Sequence, residues 1–165
     1  MENQQKNNFA QKKIIAIGSD HAGFNLKEIL KKFLTEKLGY EVLDQGPADA
    51  SRVDYPDFAQ KVTKQVIEKD IFGVVVCGSG IGISVAANKI KGIRCALCQD
   101  NYSAQLAREQ LNANVCAFGE RVIGQEIALD ALKTFLETKF DENNKENQLI
   151  QEKLKQLDEK NLQTV

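Results

Sequence analysis

Apolar residues fall along the chain either in short unbroken runs or in stripes of helical period. Residues 13–18 (KIIAIG), 72–77 (FGVVVC) and 114–118 (NVCAF) are nearly continuous apolar runs, which is typical of strands buried on both faces. Residues 40–44 and 93–98 predict two further strands. Apolar residues recur every three or four positions between these runs, which predicts helices over 24–38, 57–69, 82–90, 101–111 and 124–139. Strand and helix therefore alternate, and the pattern predicts a doubly wound, three-layer αβα sandwich around a five-stranded parallel sheet.

The two ends of the chain differ from this alternating region. Residues 1–12 are rich in Asn, Gln and Lys, and they predict a disordered leader. Residues 141–165 predict a polar helical tail with a narrow apolar stripe formed by Leu149, Ile150, Leu154 and Leu157. Such a stripe fits a surface helix on its own domain, or an arm that packs on a second subunit. The functional domain is then expected to span residues 13–140.

Composition narrows the class of protein. The 165 residues fit one domain, and a net charge of −1 gives no general attraction for nucleic acid or an anionic membrane. No apolar run approaches the roughly 20 residues that span a bilayer. Cys95 and Cys98 form a C-x-x-C without a second pair, in a segment that resembles a buried strand. We therefore expect buried free thiols rather than a zinc site or a disulfide. Free thiols in turn predict that the protein is located in a reducing cytoplasm.

The candidate catalytic and binding residues lie at the predicted carboxyl ends of the strands, where parallel sheets bind ligands. Asp20 and His21 follow the first strand in GSDHAG, and His21 is the one histidine of the chain. Asp20 could also be a simple helix cap, with His21 incidental. Cys77 begins CGSGIGIS after the third strand, where alternate glycines let the backbone approach a ligand. A thiol there is a candidate base or nucleophile, although a structural cysteine is the alternative.

Two more segments follow the second and fifth predicted strands. Tyr55, in the loop VDYP, could cover a site, and Arg121, in GER, could bind a phosphate. Both residues could equally be ordinary surface residues. The glycine spacing after Cys77 is neither the dinucleotide G-x-G-x-x-G nor a P-loop, so a nucleotide-binding module is disfavoured. Asp44, at the end of the second strand, is the one feature in favour of that alternative.

Several segments together resemble one family. IGSDHAGF, VDYPDFA, CGSGIGISVAANKIKGIRCALC, YSAQLAR and NANVCAFGERVIG resemble the ribose-5-phosphate isomerase B family, which also includes the two subunits of galactose-6-phosphate isomerase. The resemblance covers residues 13–140. It implies a Rossmann-like aldose–ketose isomerase that needs no metal or cofactor and interconverts ribose 5-phosphate and ribulose 5-phosphate. It also implies a homodimer or a dimer of dimers, with each active site shared between two subunits.

The resemblance assigns roles to individual residues. Cys77 would move the proton between C1 and C2 of the open-chain sugar through an enediolate. Asp20 would bind sugar hydroxyls or assist ring opening, and Ser79 would help to position the sugar. The remaining residues would bind the substrate: His21, Tyr55, Gly78, Gly80, Ile81, Gly82, Ser84, Asn112 and Arg121.

The chain departs from the family pattern in two places. Gln110-Leu111-Asn112 stands where the family has His-Asn-Asp, so the expected ring-opening histidine is missing. Residues 140–147 contain no arginine and one lysine, Lys145, where the family has phosphate-binding arginines. Both changes resemble the B subunit of galactose-6-phosphate isomerase. The alternatives are therefore a B-type subunit that needs a paralogous partner, or a non-catalytic sugar-phosphate-binding subunit.

Overall fold

The sheet has five strands, as the sequence predicts. The computed structural model describes residues 13–160, so the predicted leader and the last five residues of the tail lie outside the described residues. Five strands pair in parallel in the order β2-β1-β3-β5-β4. They are β1 (Ile14–Ser19), β2 (Glu41–Asp44), β3 (Phe72–Cys77), β4 (Cys95–Leu97) and β5 (Val115–Gly119). The predicted five-stranded parallel sheet is confirmed.

Helices cover both faces of this sheet. They are α1 (Phe24–Glu36), α2 (Tyr55–Lys69), α3 (Ile81–Ala87), α4 (Asn101–Glu109), α5 (Gln125–Glu137) and α6 (Lys145–Lys160). One buried cluster joins α1, α4 and α5 to the sheet, and a second joins α2 and α3 to the opposite face. All six residues of β3 are buried, because successive side chains of this central strand enter the two clusters alternately. The αβα sandwich is thus confirmed.

Two local expectations were wrong. The strand predicted over 93–98 is only the three residues of β4, and they are half-buried because β4 lies at the edge of the sheet. Tyr55 was expected in a loop, but it is the first residue of α2, with Pro56 in the first turn. Proline is well tolerated there, because the amide that it lacks has no partner within a helix at that position.

The tail forms α6, which contacts its own domain through polar groups. The Asp158 carboxylate accepts a hydrogen bond from the Gly92 amide at 3.0 Å, and the Asn147 side-chain amide donates to the Glu109 carbonyl at 3.2 Å. Leu149, Ile150 and Leu157 nevertheless remain exposed. The surface-helix interpretation therefore accounts for the polar contacts and leaves most of the apolar stripe uncovered. Nowhere in residues 13–160 is there a helix long and apolar enough to cross a membrane.

Candidate active site

The carboxyl ends of β1, β3 and β5 meet at one edge of the sheet. Ser19 in β1 is in register with Val76 in β3, and Cys77 is in register with Gly119 in β5. The segments that follow these strands are therefore neighbours, and they carry most of the predicted site residues.

Cys77 lies beneath the glycine loop that follows β3. Its side chain is buried, and its Sγ accepts a hydrogen bond from the Gly80 amide at 3.1 Å. Gly80 has φ = 77°, and a Cβ there would lie 2.5 Å from Leu97 Cδ1. Only glycine satisfies both the backbone angle and the close approach, so residue 80 can fold its amide back onto the sulfur.

Asp20 is held against the start of the same loop. One carboxylate oxygen accepts hydrogen bonds from the amides of Ala22 (2.9 Å) and Gly23 (3.0 Å), which close the short 3₁₀ turn His21–Gly23. The Asp20 amide donates to the Val76 carbonyl at 3.2 Å. Asp20 is only 6% exposed, and no group in residues 13–160 donates a hydrogen bond to its second oxygen, Oδ2. The capping role is therefore present, and Oδ2 is left for a ligand.

His21 faces the loop between β2 and α2. Its Nδ1 lies 3.0 Å from the Val53 carbonyl oxygen and 3.3 Å from the Val53 amide nitrogen. Depending on the tautomer, Nδ1 donates to the carbonyl or accepts from the amide. The described part of the chain offers no partner to Nε2, so this nitrogen is available to a ligand.

Tyr55 lies over the first turn of α3. A Cβ on Gly82 would sit 2.8 Å from Tyr55 Cζ, so the ring occupies the space that a side chain would fill. Tyr55 is 38% exposed. Tyr55 begins a helix instead of lying in a loop. Its ring nevertheless lies beside Gly82, because the first turn of α2 is next to the glycine loop.

The polar side chains of the loop and of α3 differ in how far they are engaged locally. Ser79 Oγ accepts from the Ile81 amide at 3.2 Å, and Ser84 Oγ donates to the Ile81 carbonyl at 2.8 Å. Ser84 is buried, so its hydroxyl is used within α3 itself. Ile81 is exposed. No described residue accepts a hydrogen bond from the amides of Gly78 or Ser79.

Arg121 brings a positive charge to the mouth of this loop. Its amide donates to the Gly78 carbonyl at 2.9 Å, and its guanidinium lies 3.4 Å from the position of a Cβ on Gly78. The side chain is exposed and forms no ion pair with a carboxylate of residues 13–160. The neighbouring Glu120 was missed by the sequence reasoning. Its carboxylate accepts from the Leu26 amide at 2.9 Å and the Asn25 side chain at 3.1 Å, and so ties this turn to the start of α1.

Asn112 is not part of this constellation within one chain. It precedes β5 and so lies at the amino ends of the parallel strands, whereas Cys77 lies at their carboxyl ends. Its carbonyl accepts from Arg94 Nε at 2.9 Å, and its side-chain oxygen accepts from Arg108 at 2.9 Å. Gln110 and Lys145 lie at the same end, because α4 ends at Glu109, whose carbonyl binds the first turns of the tail.

Asp44 is fully engaged in ion pairs. Lys27 and Lys31 donate to its carboxylate at 2.6–3.1 Å. Burial opposes ionisation of this carboxyl, but hydrogen bonds from Lys31, the Gly46 amide and Lys27 outweigh burial and lower its pKa. The one feature that favoured a nucleotide-binding module is therefore occupied by the protein's own lysines.

All four cysteines are free thiols. Burial, with the nearby Asp100, raises the pKa of Cys98 to about 12, and burial also raises the pKa of Cys95 and Cys116. These three thiols are therefore protonated at neutral pH. Over residues 13–160 no group of three or more His, Cys, Asp or Glu side chains is arranged to hold a metal ion.

Comparison with known proteins identifies the family. The family model described as Ribose/Galactose Isomerase matches residues 15–153. Ribose-5-phosphate isomerase B of Escherichia coli (strain K12) is 43% identical over 130 residues, which are 78% of this chain and 87% of that protein. The galactose-6-phosphate isomerase subunit LacB of Clostridium acetobutylicum is 42% identical over 139 residues, covering 83% of this chain and 79% of LacB.

A solved structure extends the likeness to the fold. The ribose-5-phosphate isomerase B of Clostridium thermocellum superposes with a TM-score of 0.85 at 44% identity, covering 89% of this chain and 98% of that one. The family model and the solved structure thus each cover most of the chain. The chain belongs to the ribose/galactose isomerase family of enzymes.

Proposed function

We propose that this enzyme interconverts ribose 5-phosphate and ribulose 5-phosphate, with Cys77 as the base. The observation that carries the proposal is the position of the Cys77 sulfur at the carboxyl end of the central strand β3. The sulfur lies under the glycine loop and is oriented by the Gly80 amide. By contrast, the thiols of Cys98 and Cys116 donate to the carbonyls of Ala96 at 3.6 Å and Gly73 at 3.7 Å, as buried structural thiols do.

The proposed reaction moves one proton between adjacent carbons. The Cys77 thiolate takes the proton from C2 of the open-chain aldose and leaves an enediolate across C1 and C2. The thiol then returns the proton to C1, while the hydroxyl proton moves from O2 to O1, which gives the ketose. The free amides of Gly78 and Ser79 support this step, because fixed N–H dipoles stabilise charge that develops on the sugar oxygens. Asp20 Oδ2 and the Ser79 hydroxyl would orient the sugar hydroxyls.

The phosphate end of the substrate fits the groups at the mouth of the loop. His21 Nε2 and the Arg121 guanidinium border the site and have no partner in the described residues. Tyr55 would line the pocket beside Gly82. Of the two cations considered for the phosphate, Arg121 lies beside the loop of the same chain, whereas Lys145 lies at the opposite edge of the sheet.

The experiment is turnover of ribose 5-phosphate by the purified chain, with proton exchange at C2 in deuterated water. Cys77→Ala should retain its fold and lose exchange by about two to four orders of magnitude, the usual contribution of a general base. Cys95→Ala, which removes a half-buried thiol outside the site, is the matched control and should exchange normally. Undiminished exchange in Cys77→Ala would show that another group is the base.

A second candidate function is that of a B-type galactose-6-phosphate isomerase subunit, favoured by the likeness to LacB and by Gln110 in place of histidine. In this chain Gln110, Asn112 and Lys145 lie at the amino ends of the strands, whereas Cys77 lies at the carboxyl end of β3. They would therefore act only at the site of a second subunit, in a homodimer, a dimer of dimers or a complex with a paralogue.

The two candidates are separated by assays of the isolated chain. Turnover of ribose 5-phosphate by the chain alone favours the self-sufficient isomerase. If galactose 6-phosphate is turned over only after a paralogous partner is added, the chain is a B-type subunit. Binding of either sugar phosphate without proton exchange, alone or with a partner, would indicate a non-catalytic binding subunit.

A further inference from the structure

Lys27 is a fully buried lysine outside the constellation described above. Its side chain is 1% exposed, on the first turn of α1. The ammonium group donates to both Asp44 oxygens at 3.0 and 3.1 Å and to the Pro47 carbonyl at 3.1 Å, and it lies 2.8 Å from Glu28 Oε1. Burial of a lysine is costly, so these contacts must replace the water that the ammonium group loses.

The Pro47 carbonyl connects Lys27 to the loop of residues 45–54. This loop joins β2 to α2 and has no regular secondary structure, and its central residues 48–52 are exposed. Near its beginning, the Gly46 carbonyl accepts from the Ser19 amide at 3.0 Å, next to the Lys27 contact at Pro47. Near its end, Val53 contacts His21 Nδ1 through both its carbonyl and its amide. The beginning of the loop is thus held by β1 and by Lys27, and its end is held by His21.

We propose that Lys27 is a positioning residue for His21, acting through the loop of residues 45–54. Lys27, together with the hydrogen bond from Ser19 to Gly46, holds the beginning of the loop, the loop holds Val53, and Val53 holds the direction of the imidazole, so that Nε2 faces the site. The mechanical part of the proposal stands on the contacts alone, whereas its effect on the substrate rests on the proposed function.

Lys31 provides a matched control. It also donates to Asp44, at 2.6 Å, and to Glu28, at 2.8 Å, but it makes no hydrogen bond to the loop and is 31% exposed. Lys27→Met and Lys31→Met each remove one ammonium group that donates to the Asp44 carboxylate. Only the first also removes the donor to the Pro47 carbonyl.

The imidazole of His21 gives a direct spectroscopic readout, because it is the one histidine in the chain. In tag-free protein, Lys27→Met should shift or broaden the His21 imidazole resonances and accelerate hydrogen exchange at the Val53 amide. Lys31→Met should leave both as in the unaltered protein. Should Lys27→Met fail to fold, Asp44→Asn removes the charge partner, retains Lys27, and should produce a smaller change in the same resonances.

Kinetics then separate positioning from a general loss of structure. With ribose 5-phosphate, Lys27→Met should raise KM about tenfold, less than the roughly hundredfold cost of displacing a reacting group by 1 Å. Its kcat should stay within about twofold, since Cys77 is untouched. Partial unfolding would instead lower kcat and leave KM unchanged.

The outcomes decide the two proposals separately. A His21 spectrum and a KM in Lys27→Met that match those of Lys31→Met would overturn the positioning role. If the unaltered protein turns over no pentose phosphate, the proposed function fails, while the His21 spectrum still decides whether Lys27 positions the imidazole.

Discussion

Replacement of Gly119 by alanine should displace the Cys77 loop without replacing any residue assigned to the reaction. Gly119 ends β5, and a Cβ there would overlap the carbonyl group of Ser79 and lie 2.9 Å from its Cα. Its backbone angles suit any residue, so the effect is steric alone. Since carbon atoms pack at roughly 3.5–4.0 Å, the Ser79 backbone must move by about 1 Å.

A shift of this size has a calculable cost. A misplacement of about 1 Å at the reacting centre lowers turnover about a hundredfold. Overpacking of this kind also costs about 1–3 kcal/mol of folding free energy. We therefore expect Gly119→Ala to remain folded and to lose about two orders of magnitude in kcat for ribose 5-phosphate, with a small decrease in Tm.

The assay is steady-state turnover together with thermal unfolding, and Gly124→Ala is the control. A Cβ on Gly124 would meet only Ile127 Cδ1, at an ordinary 3.8 Å. This variant should keep the kcat of the unaltered protein. If Gly119→Ala also kept that kcat, the loop would tolerate displacement, and the argument from close packing at the site would be refuted.

Three further predictions concern groups around the site. Glu120→Ala removes the carboxylate that accepts from the Leu26 amide, and it should cost about 1 kcal/mol, or about 3 °C in Tm, because α1 has no other side-chain cap. Cys98 and Cys116 should resist iodoacetamide at pH 8 until the protein is unfolded in urea, because burial raises the pKa of both thiols. The pKa of Asp44 is lower in the folded than in the unfolded protein, where it is 3.8. Ionised Asp44 should therefore stabilise the fold at pH values above 3.8, and this stabilisation should be lost as the pH falls through the folded pKa.

Each of these predictions has a contrary result. An unchanged Tm in Glu120→Ala would mean that water caps α1 as well as the carboxylate does. Rapid labelling of Cys98 or Cys116 in the native state, read by mass spectrometry, would contradict their burial. Between pH 6 and pH 3, the free energy of unfolding in urea should fall more for the unaltered protein than for Asp44→Asn. Equal decreases would show that the ion pairs of Asp44 with Lys27 and Lys31 do not stabilise the fold.

The pattern of apolar residues predicted the sheet and its helices because burial on both faces produces continuous apolar strands, as in β3. The same pattern could not reveal that β4 is an edge strand. Its half-buried residues are as apolar as those of a central strand, and strand order depends on crossovers between distant segments. The first turn of α2 was missed for a local reason, since a proline in sequence signals a loop and the start of a helix equally well.

Some features of the candidate site could likewise be predicted from the sequence, whereas others required the tertiary structure. By itself, the sequence determined which residues could carry the chemistry, because Asp20, His21, Cys77 and Arg121 each follow a predicted strand and parallel strands end at a common edge. Only the tertiary structure decided that Lys27 contacts Pro47 and that His21 contacts Val53. Such contacts join segments 20 or more residues apart, so they depend on how the elements pack and leave no periodic trace in the chain.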